Sequence, residues 1–304
     1  MVYSDISKTI GNTPLVKLDN IKRAFNLKSN IYAKLEYFNP AGSIKDRVAL
    51  NIIESAEKQG LIKKGGVVIE ATSGNTGIGL AMVCKAKGYK LILTMPETMS
   101  VERIKILKAY GAEVVLTSGS LGMQGSVLKA QELNAKIKGS IIANQFENEA
   151  NPQTHYKTTG VEIYNDLNGN INAFISCIGT GGTFTGVSKY LKEKISTVKT
   201  YGVEPENSPL ISKGYAGEHK IQGIGANFIP SVLDKSLLDG VFTCSDSDAY
   251  KYAKLIAEHE GFLVGISSGA VLKCAIDYAL NNENENVVII FPDGADRYYS
   301  TELF

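Results

Sequence analysis

The chain has 304 residues, 44% of them hydrophobic and 21% charged, with 32 Lys and Arg against 31 Asp and Glu for a formal net charge of +1. This is a globular balance with enough apolar content for a sizeable core, and neither a basic run nor a charge excess selects nucleic acid or an anionic membrane as a partner. Residues 1–8 contain no apolar h-region, and no apolar stretch reaches the ~18–20 residues that cross a bilayer, so a cytoplasmic protein acting on small molecules is expected.

Short β-branched runs at 67–72, 91–95, 113–117, 140–145, 173–178, 200–203 and 287–291 have the character of buried parallel strands. Helical spacing fills 46–59, 77–87, 101–110, 123–136, 152–166, 183–194, 247–260 and 270–281. Strand and helix in alternation give right-handed βαβ units and a largely parallel sheet, hence a doubly wound α/β architecture. No low-complexity linker or fixed-period repeat interrupts the chain, so any domain boundary is compact. The best position is the polar stretch Phe146-Glu147-Asn148-Glu149-Ala150-Asn151 before Pro152.

Cys84, Cys177, Cys244 and Cys274 show no Cys-x-x-Cys pairing, and His155, His219 and His259 show no metal-ligand spacing. Neither a disulfide scaffold nor a metal site is expected. The cysteines read as small buried apolar residues, and His155 and His259 as surface-helix residues.

Three glycine-rich segments are each expected to follow a strand: Thr72-Ser73-Gly74-Asn75-Thr76-Gly77, Gly179-Thr180-Gly181-Gly182-Thr183 and Gly265-Ile266-Ser267-Ser268-Gly269. Such loops fall at the carboxyl ends of parallel strands, where helix N-termini present unpaired N–H groups to ligands. The segment at 179–183 suits a phosphate cradle, although its residues alone are equally consistent with a tight strand-to-helix turn. Neither nucleotide fingerprint fits, because the Walker Lys-Ser/Thr ending is absent and Phe184 stands where G-x-G-x-x-G needs its last glycine. In Asn39-Pro40-Ala41-Gly42-Ser43-Ile44-Lys45-Asp46-Arg47, Lys45 lies just before an expected helix after a Pro/Gly turn, placed to project into a cleft. By itself such a lysine is usually a solvated charge.

These segments, with Gly11-Asn12-Thr13-Pro14-Leu15-Val16, Met95-Pro96-Glu97-Thr98-Met99-Ser100, Gln222-Gly223-Ile224-Gly225-Ala226 and Arg297-Tyr298-Tyr299-Ser300-Thr301, resemble the cysteine synthase (O-acetylserine sulfhydrylase) family over nearly the whole chain. The resemblance implies the tryptophan synthase β-like fold of pyridoxal 5′-phosphate (PLP) enzymes, with two α/β lobes that each carry a mainly parallel sheet flanked by helices. Residues 35–147 would form the smaller, mobile lobe, residues 1–34 and 148–304 the larger, with PLP in the cleft between them. Lys45 would be the Schiff-base lysine and the base that moves the α-proton, and Asn75 would bond the cofactor's ring oxygen. Gly179, Thr180, Gly181, Gly182 and Thr183 would hold the phosphate, and Ser267 would face the pyridine nitrogen. Thr72, Ser73, Thr76 and Gln145 would hold the substrate carboxylate. A homodimer is implied, acting on an amino acid with sulfide or a thiol.

The residue types suit that chemistry. PLP is the electron sink, so the protein orients it and tunes its ring. A hydroxyl at the ring nitrogen does not favour ring protonation, which suits β-elimination. A lysine held close and partly desolvated serves as general base near neutral pH. The leading expectation is O-acetylserine plus sulfide giving cysteine and acetate. Asn227, where the family commonly has glycine, borders the substrate segment and raises an alternative: a cysteine-consuming β-replacement or lyase that releases hydrogen sulfide and forms lanthionine, cystathionine or serine. The loop Gly217-Glu218-His219-Lys220 is shorter than its counterpart in sulfhydrylases that dock serine acetyltransferase, so that partner is not assumed. From other classes, a nucleotide-binding oxidoreductase conflicts with the glycine spacing, and a non-catalytic PLP-fold binding protein conflicts with the joint presence of Lys45, Asn75 and Ser267.

Overall fold

The structure, a computed structural model, describes residues 2–99 and 101–303, without the side chain of residue 102; Ser100, which closes the motif at 95–100, lies outside them. The chain forms two compact units, Met1–Ile10 with Asn39–Asn151 and Gly11–Phe38 with Pro152–Phe304. In chain order the strands among the described residues are β1 (Leu15–Lys17), β2 (Asn30–Leu35), β3 (Val67–Ala71), β4 (Lys90–Pro96), β5 (Glu113–Thr117), β6 (Ile141–Ile142), β7 (Ala173–Cys177), β8 (Lys199–Pro205), β9 (Gly240–Cys244) and β10 (Asn286–Phe291).

The smaller unit has one sheet of order β5-β4-β3-β6, parallel throughout. Alternate residues along its strands face opposite layers, as the pleat requires. Val68, Leu91 and Leu93 pack with the helices Lys45–Lys58 and Asn75–Lys87, whereas Ile69 and Ile92 pack with Ala130 of the helix Gly122–Lys136. The helix Asn75–Lys87 ends at Gly88, whose φ of 78° closes it in the left-handed conformation that glycine adopts without a Cβ penalty.

The larger unit has a sheet of order β1-β2-β10-β7-β8-β9, in which only the β1–β2 pair is antiparallel. Ile31, Ala33, Ile175, Val287 and Ile289 share one core with the helices Asp246–Glu260 and Ile266–Asn281. The helix Gly182–Lys194 packs on β7 and β8 and buries Phe184, Val187 and Leu191. The motif at 11–16 wires the start of this unit into its body. Lys34, 1% exposed, donates to the Thr13 carbonyl at 2.7 Å and pairs with Glu162 and Asp166, each at 3.1 Å. Glu162 in turn accepts from the Asn12 N–H at 3.1 Å.

Both sheets wind the same way. The chain passes β3, β4, β5 outward and returns to β6 on the other side of β3; it passes β7, β8, β9 and returns to β10 on the other side of β7. Each therefore has its switch point beside the strand that leads into a glycine-containing loop, where open α/β sheets bind ligands.

Several elements differ from those the sequence predicts. The strand expected at 140–145 is only Ile141–Ile142, because Asn144 takes a φ of 52° and the N–H groups of Asn144 and Gln145 turn to the Glu70 side chain. The helix expected at 152–166 is divided by a π turn, His155–Thr159, between Ala150–Thr154 and Gly160–Asp166. The segment at 265–269 does not follow a strand; it follows the helix Asp246–Glu260 and begins Ile266–Asn281. Strands β1, β2 and β9 and the helix Asp19–Ala24 were not expected, being short or bare of a clean alternation. Among the described residues no helix is long and apolar enough to cross a membrane.

Candidate active site

In the smaller unit Lys45 is the first residue of the helix Lys45–Lys58, which begins one residue earlier than expected, so the lysine lies inside the helix and not ahead of it. The turn before it is tied by its own polar groups. Asp46 Oδ2 accepts from the Ala41 N–H at 2.6 Å, and Ser43 Oγ accepts from the Lys45 N–H at 3.2 Å. Gly42, with φ 82°, supplies the left-handed residue that the turn needs. On the neighbouring helix Asn75–Lys87, a Cβ built on Gly79 would lie 3.0 Å from the Lys45 carbonyl oxygen, so the two helices meet backbone to backbone at Lys45. The lysine side chain is half-buried.

The loop after β3 presents Thr72, Ser73, Asn75 and Thr76 where Asn75 opens its helix. Thr72 Oγ1 accepts weakly from the Gly74 N–H at 3.4 Å. Thr76 Oγ1 donates to Gln145 Oε1 at 2.6 Å, so two expected substrate residues, 69 positions apart, form one buried pair. Gln145 is itself anchored. Its N–H donates to Glu70 Oε1 at 3.3 Å, the Asn144 N–H donates to Glu70 Oε2 at 2.7 Å, and the Gln145 carbonyl accepts from Asn151 Nδ2 at 2.8 Å. Glu70 is 3% exposed, and burial pushes its carboxyl up to about 7 against the pull of those two N–H donors.

In the larger unit, residues 179–183 join β7 to the helix Gly182–Lys194, with Gly181 in the left-handed region at φ 85°. A Cβ on Gly179 would stand 2.2 Å from the Gly223 carbonyl oxygen, and one on Gly181 would stand 2.7 Å from Leu233 Cβ. The motif at 222–226 backs the loop, and the Gly225 N–H donates to the Ile178 carbonyl at 3.1 Å. Ser267 is buried in the first turn of Ile266–Asn281, and its carbonyl accepts from Cys177 Sγ at 3.3 Å beside the end of β7. The turn before it is fixed by Gly265, where a Cβ would fall 2.0 Å from Asp293 Oδ1. Asn227 is exposed, beside a pocket lined by Ile178, Gly179, Glu204, Ser208, Ala226 and Phe228.

His155 is fully buried, contrary to the surface-helix expectation. Its Nε2 lies 3.2 Å from Thr183 Oγ1 and its Nδ1 3.0 Å from Thr159 Oγ1. The cysteines are buried or half-buried thiols, and burial pushes Cys84 up to about 12.

The groups present suit PLP. Residues 179–183 combine glycines that admit no side chain, two hydroxyls, no acidic residue and a helix N-terminus whose first N–H groups lack intrahelical partners. Ser267 offers a hydroxyl at a second helix N-terminus, and Lys45 offers an amine held by a rigid turn.

The profile of the family described as "Pyridoxal-phosphate dependent enzyme" matches residues 6–293. The chain is similar to the cysteine synthase of Staphylococcus aureus, at 48% identity over 302 residues covering 99% of this chain and 96% of that protein. Among solved structures it is similar to a hydrogen sulfide-producing enzyme from Fusobacterium nucleatum, at 50% identity and a TM-score of 0.92, covering 98% of this chain and 100% of that one. It is also similar to an O-acetylserine dependent cystathionine beta-synthase from Helicobacter pylori, at 41% identity and a TM-score of 0.93, covering 100% and 99%. The chain belongs to the cysteine synthase family of PLP enzymes. It uses PLP for β-replacement on an amino acid of the serine or cysteine type.

Two residues near the site, Glu70 and His155, are not singled out by motif or spacing. Glu70 gave a signal, a carboxylate inside the otherwise apolar strand Val67–Ala71. His155 gave a weaker one, since the glycines that let its turn pack, Gly160 and Gly186, stand in helical segments where glycine is costly.

Proposed function

We propose that the enzyme converts O-acetylserine and sulfide to cysteine and acetate, with Lys45 as its catalytic residue. Lys45, Asn75, Ser267 and residues 179–183 are assigned to PLP; Thr72, Ser73, Thr76 and Gln145 are assigned to the substrate carboxylate. The observation that carries the reading is the polar cluster of the smaller unit: the Thr76–Gln145 pair at 2.6 Å and the hydroxyls of Thr72 and Ser73, in the unit whose helix contact fixes Lys45.

Bound PLP supplies the electron sink that makes a carbanion at the substrate Cα accessible. The protein's part is placement and proton transfer. Hydroxyls and N–H groups at the start of Asn75–Lys87 give the carboxylate neutral donors and a helix dipole in place of an arginine. Held by the carboxylate, the substrate turns its Cα toward one amine, and Lys45 Nζ takes the α-proton as acetate leaves the β-carbon. Sulfide then adds at that carbon, and Lys45 returns the proton to Cα. Lys45→Ala is expected to lower kcat by about 10²–10⁴-fold, the usual contribution of a general base.

A second reading, that cysteine is the first substrate and sulfide the leaving group, is favoured by Asn227, an exposed amide in the segment assigned to border the substrate. The similarity to a hydrogen sulfide-producing enzyme supports it too. Visible spectra of the purified enzyme, titrated with O-acetylserine and with cysteine while acetate and sulfide are assayed, separate the two. A new stable band with O-acetylserine, acetate release and reversal by sulfide are expected. A change with cysteine alone, accompanied by sulfide, would replace the first reading by the second. The active form is proposed to be a homodimer, which light scattering in solution checks.

A further inference from the structure

We propose that Glu70 is a positioning residue for the substrate carboxylate: by accepting the N–H groups of Asn144 and Gln145, its side chain holds the Gln145 amide on Thr76. The proposal rests on the assignment of Thr76 and Gln145 to that carboxylate.

The strand register shows what Glu70 replaces. Val68 pairs with Ile141 and Ile69 with Ile142, and the Ala143 N–H closes the ladder on the Ile69 carbonyl at 2.9 Å. Main-chain pairing stops there. Asn144 turns to φ 52°, and the next two N–H groups meet a side chain of β3 in place of its backbone: Asn144 donates to Glu70 Oε2 at 2.7 Å and Gln145 to Glu70 Oε1 at 3.3 Å. The far side of the turn is tied as well. The Gln145 carbonyl accepts from Asn151 Nδ2 at 2.8 Å, and Asn148 donates through its N–H to the Asn144 carbonyl and through Nδ2 to the Ala143 carbonyl, each at 2.9 Å. With its N–H and its carbonyl both held, Gln145 keeps only its side-chain torsions free, and its Oε1 accepts from Thr76 Oγ1 at 2.6 Å. Thr76 spends its one proton on that bond, which leaves the Gln145 amide NH2 as the donor that the pair offers to an anion.

The residue type follows from counting donors. Glu70 is 3% exposed in an otherwise apolar strand, where a charge is costly. An apolar residue would avoid that cost and leave both N–H groups of the turn without this acceptor. A glutamine would meet one of them with its own NH2, donor against donor, whereas an ionised carboxylate is acceptor-only and satisfies both. Burial pushes the Glu70 carboxyl up to about 7, so above that pH both oxygens accept.

The test compares two ligands that differ only in the carboxylate, serine and 2-aminoethanol. Their binding to holoenzyme is read from the cofactor's visible absorbance at about pH 8, where Glu70 is ionised. Serine is expected to bind about 10-fold more weakly to Glu70→Gln and about 10–100-fold more weakly to Gln145→Ala, with 2-aminoethanol unchanged in both. The double variant should be no worse than Gln145→Ala, because Glu70 acts through that amide. In turnover, Glu70→Gln should raise KM for O-acetylserine with kcat kept within about 2-fold, and its PLP content should match that of the unaltered enzyme. Glu70→Asp keeps the charge, shortens the reach by one methylene and should show the same pattern in smaller measure; it carries the test if the amide variant does not fold. Weaker binding of both ligands in the Glu70 variants would make Glu70 a purely structural residue and overturn the proposal. If Gln145→Ala weakens serine binding and the Glu70 variants do not, the carboxylate assignment stands and the role of Glu70 falls. If Gln145→Ala changes nothing, Gln145 leaves the carboxylate site and the proposal goes with it.

Discussion

The loop after β3 and the loop after β7 occupy equivalent places, each at the switch point of its own parallel sheet and each opening a helix. They are built on opposite principles. After β7, shape is set by backbone: side chains at Gly179 and Gly181 would collide with the Gly223 carbonyl oxygen and Leu233. After β3, Gly74 meets nothing within 4 Å, and the loop is defined by what its side chains bond, Thr76 to Gln145 and Gln145 back to Glu70 through its N–H. A group recognised only for its charge, such as phosphate, needs a snug ring of N–H donors. A substrate that must be told from similar amino acids needs directional side-chain groups. On the proposed assignments, one topology serves both purposes by exchanging glycine for hydroxyl and amide residues.

The largest effect expected from this contrast is in the backbone-built loop. Gly179→Ala pushes a methyl group to 2.2 Å from a main-chain oxygen that no rotamer change can move, and overpacking of this kind costs about 3 kcal/mol. Cofactor affinity measured on the refolded variant should fall by roughly 100-fold. Unchanged affinity would mean that the loop gives way easily and that shape is not its principle.

The side-chain-built loop should instead respond to pH through Glu70. The folded chain holds the Glu70 proton up to about 7, whereas the ordinary value is 4.5. Between those limits the folded state binds more protons than the unfolded state, so stability from this group is greatest at low pH and declines as pH rises through the window. The total is roughly 3 kcal/mol, with no further loss above it. Glu70→Gln has no proton to lose, so its unfolding free energy in urea should lack this slope. Parallel curves for both proteins from about pH 5 to 8 would show that Glu70 titrates normally.

The two loops also differ in how much of them was legible. The glycines at 179, 181 and 182 and the run Thr72-Ser73-Gly74-Asn75-Thr76 were visible as sequence, as were the strands before them, because continuous apolar runs report burial directly. Glu70 could be seen as an anomaly in a strand, but its work depends on Asn144, 74 residues away, taking a φ of 52° and offering its N–H. Strand β6 was overextended for the same reason, since the side chain of Glu70 competes with the ladder. His155 was misplaced on the surface because helical spacing cannot show a π turn, which here depends on the close approach that Gly160 and Gly186 permit. In each case the missing information was a long-range contact that local periodicity does not encode.

A smaller effect is expected within the side-chain loop itself. Thr76→Val keeps volume and removes the hydroxyl that donates to Gln145 Oε1, which frees the Gln145 amide to rotate. The lost hydrogen bond is worth about 1 kcal/mol, so KM for the amino-acid substrate should rise about 5-fold, with kcat changed less, because in the proposed assignment the pair binds the carboxylate throughout the reaction. An equal fall in kcat with KM unchanged would place Thr76 in the chemical step and not in binding.

The smallest effect is expected at Gly74, and it separates the two designs most cleanly. Gly74 caps the helix Asn75–Lys87 with φ −101° and ψ −157°, extended backbone that alanine also adopts, and a Cβ there has no protein atom within 4 Å. Gly74→Ala should therefore cost less than about 1 kcal/mol of stability, the difference being the weaker capping of alanine. Urea unfolding of Gly74→Ala beside Gly179→Ala measures the contrast directly. If the two glycines cost the same, both loops are shaped by backbone packing. If Gly74→Ala is nearly silent in stability, side-chain hydrogen bonds alone hold the loop after β3, and glycine content is no guide to which loop is rigid.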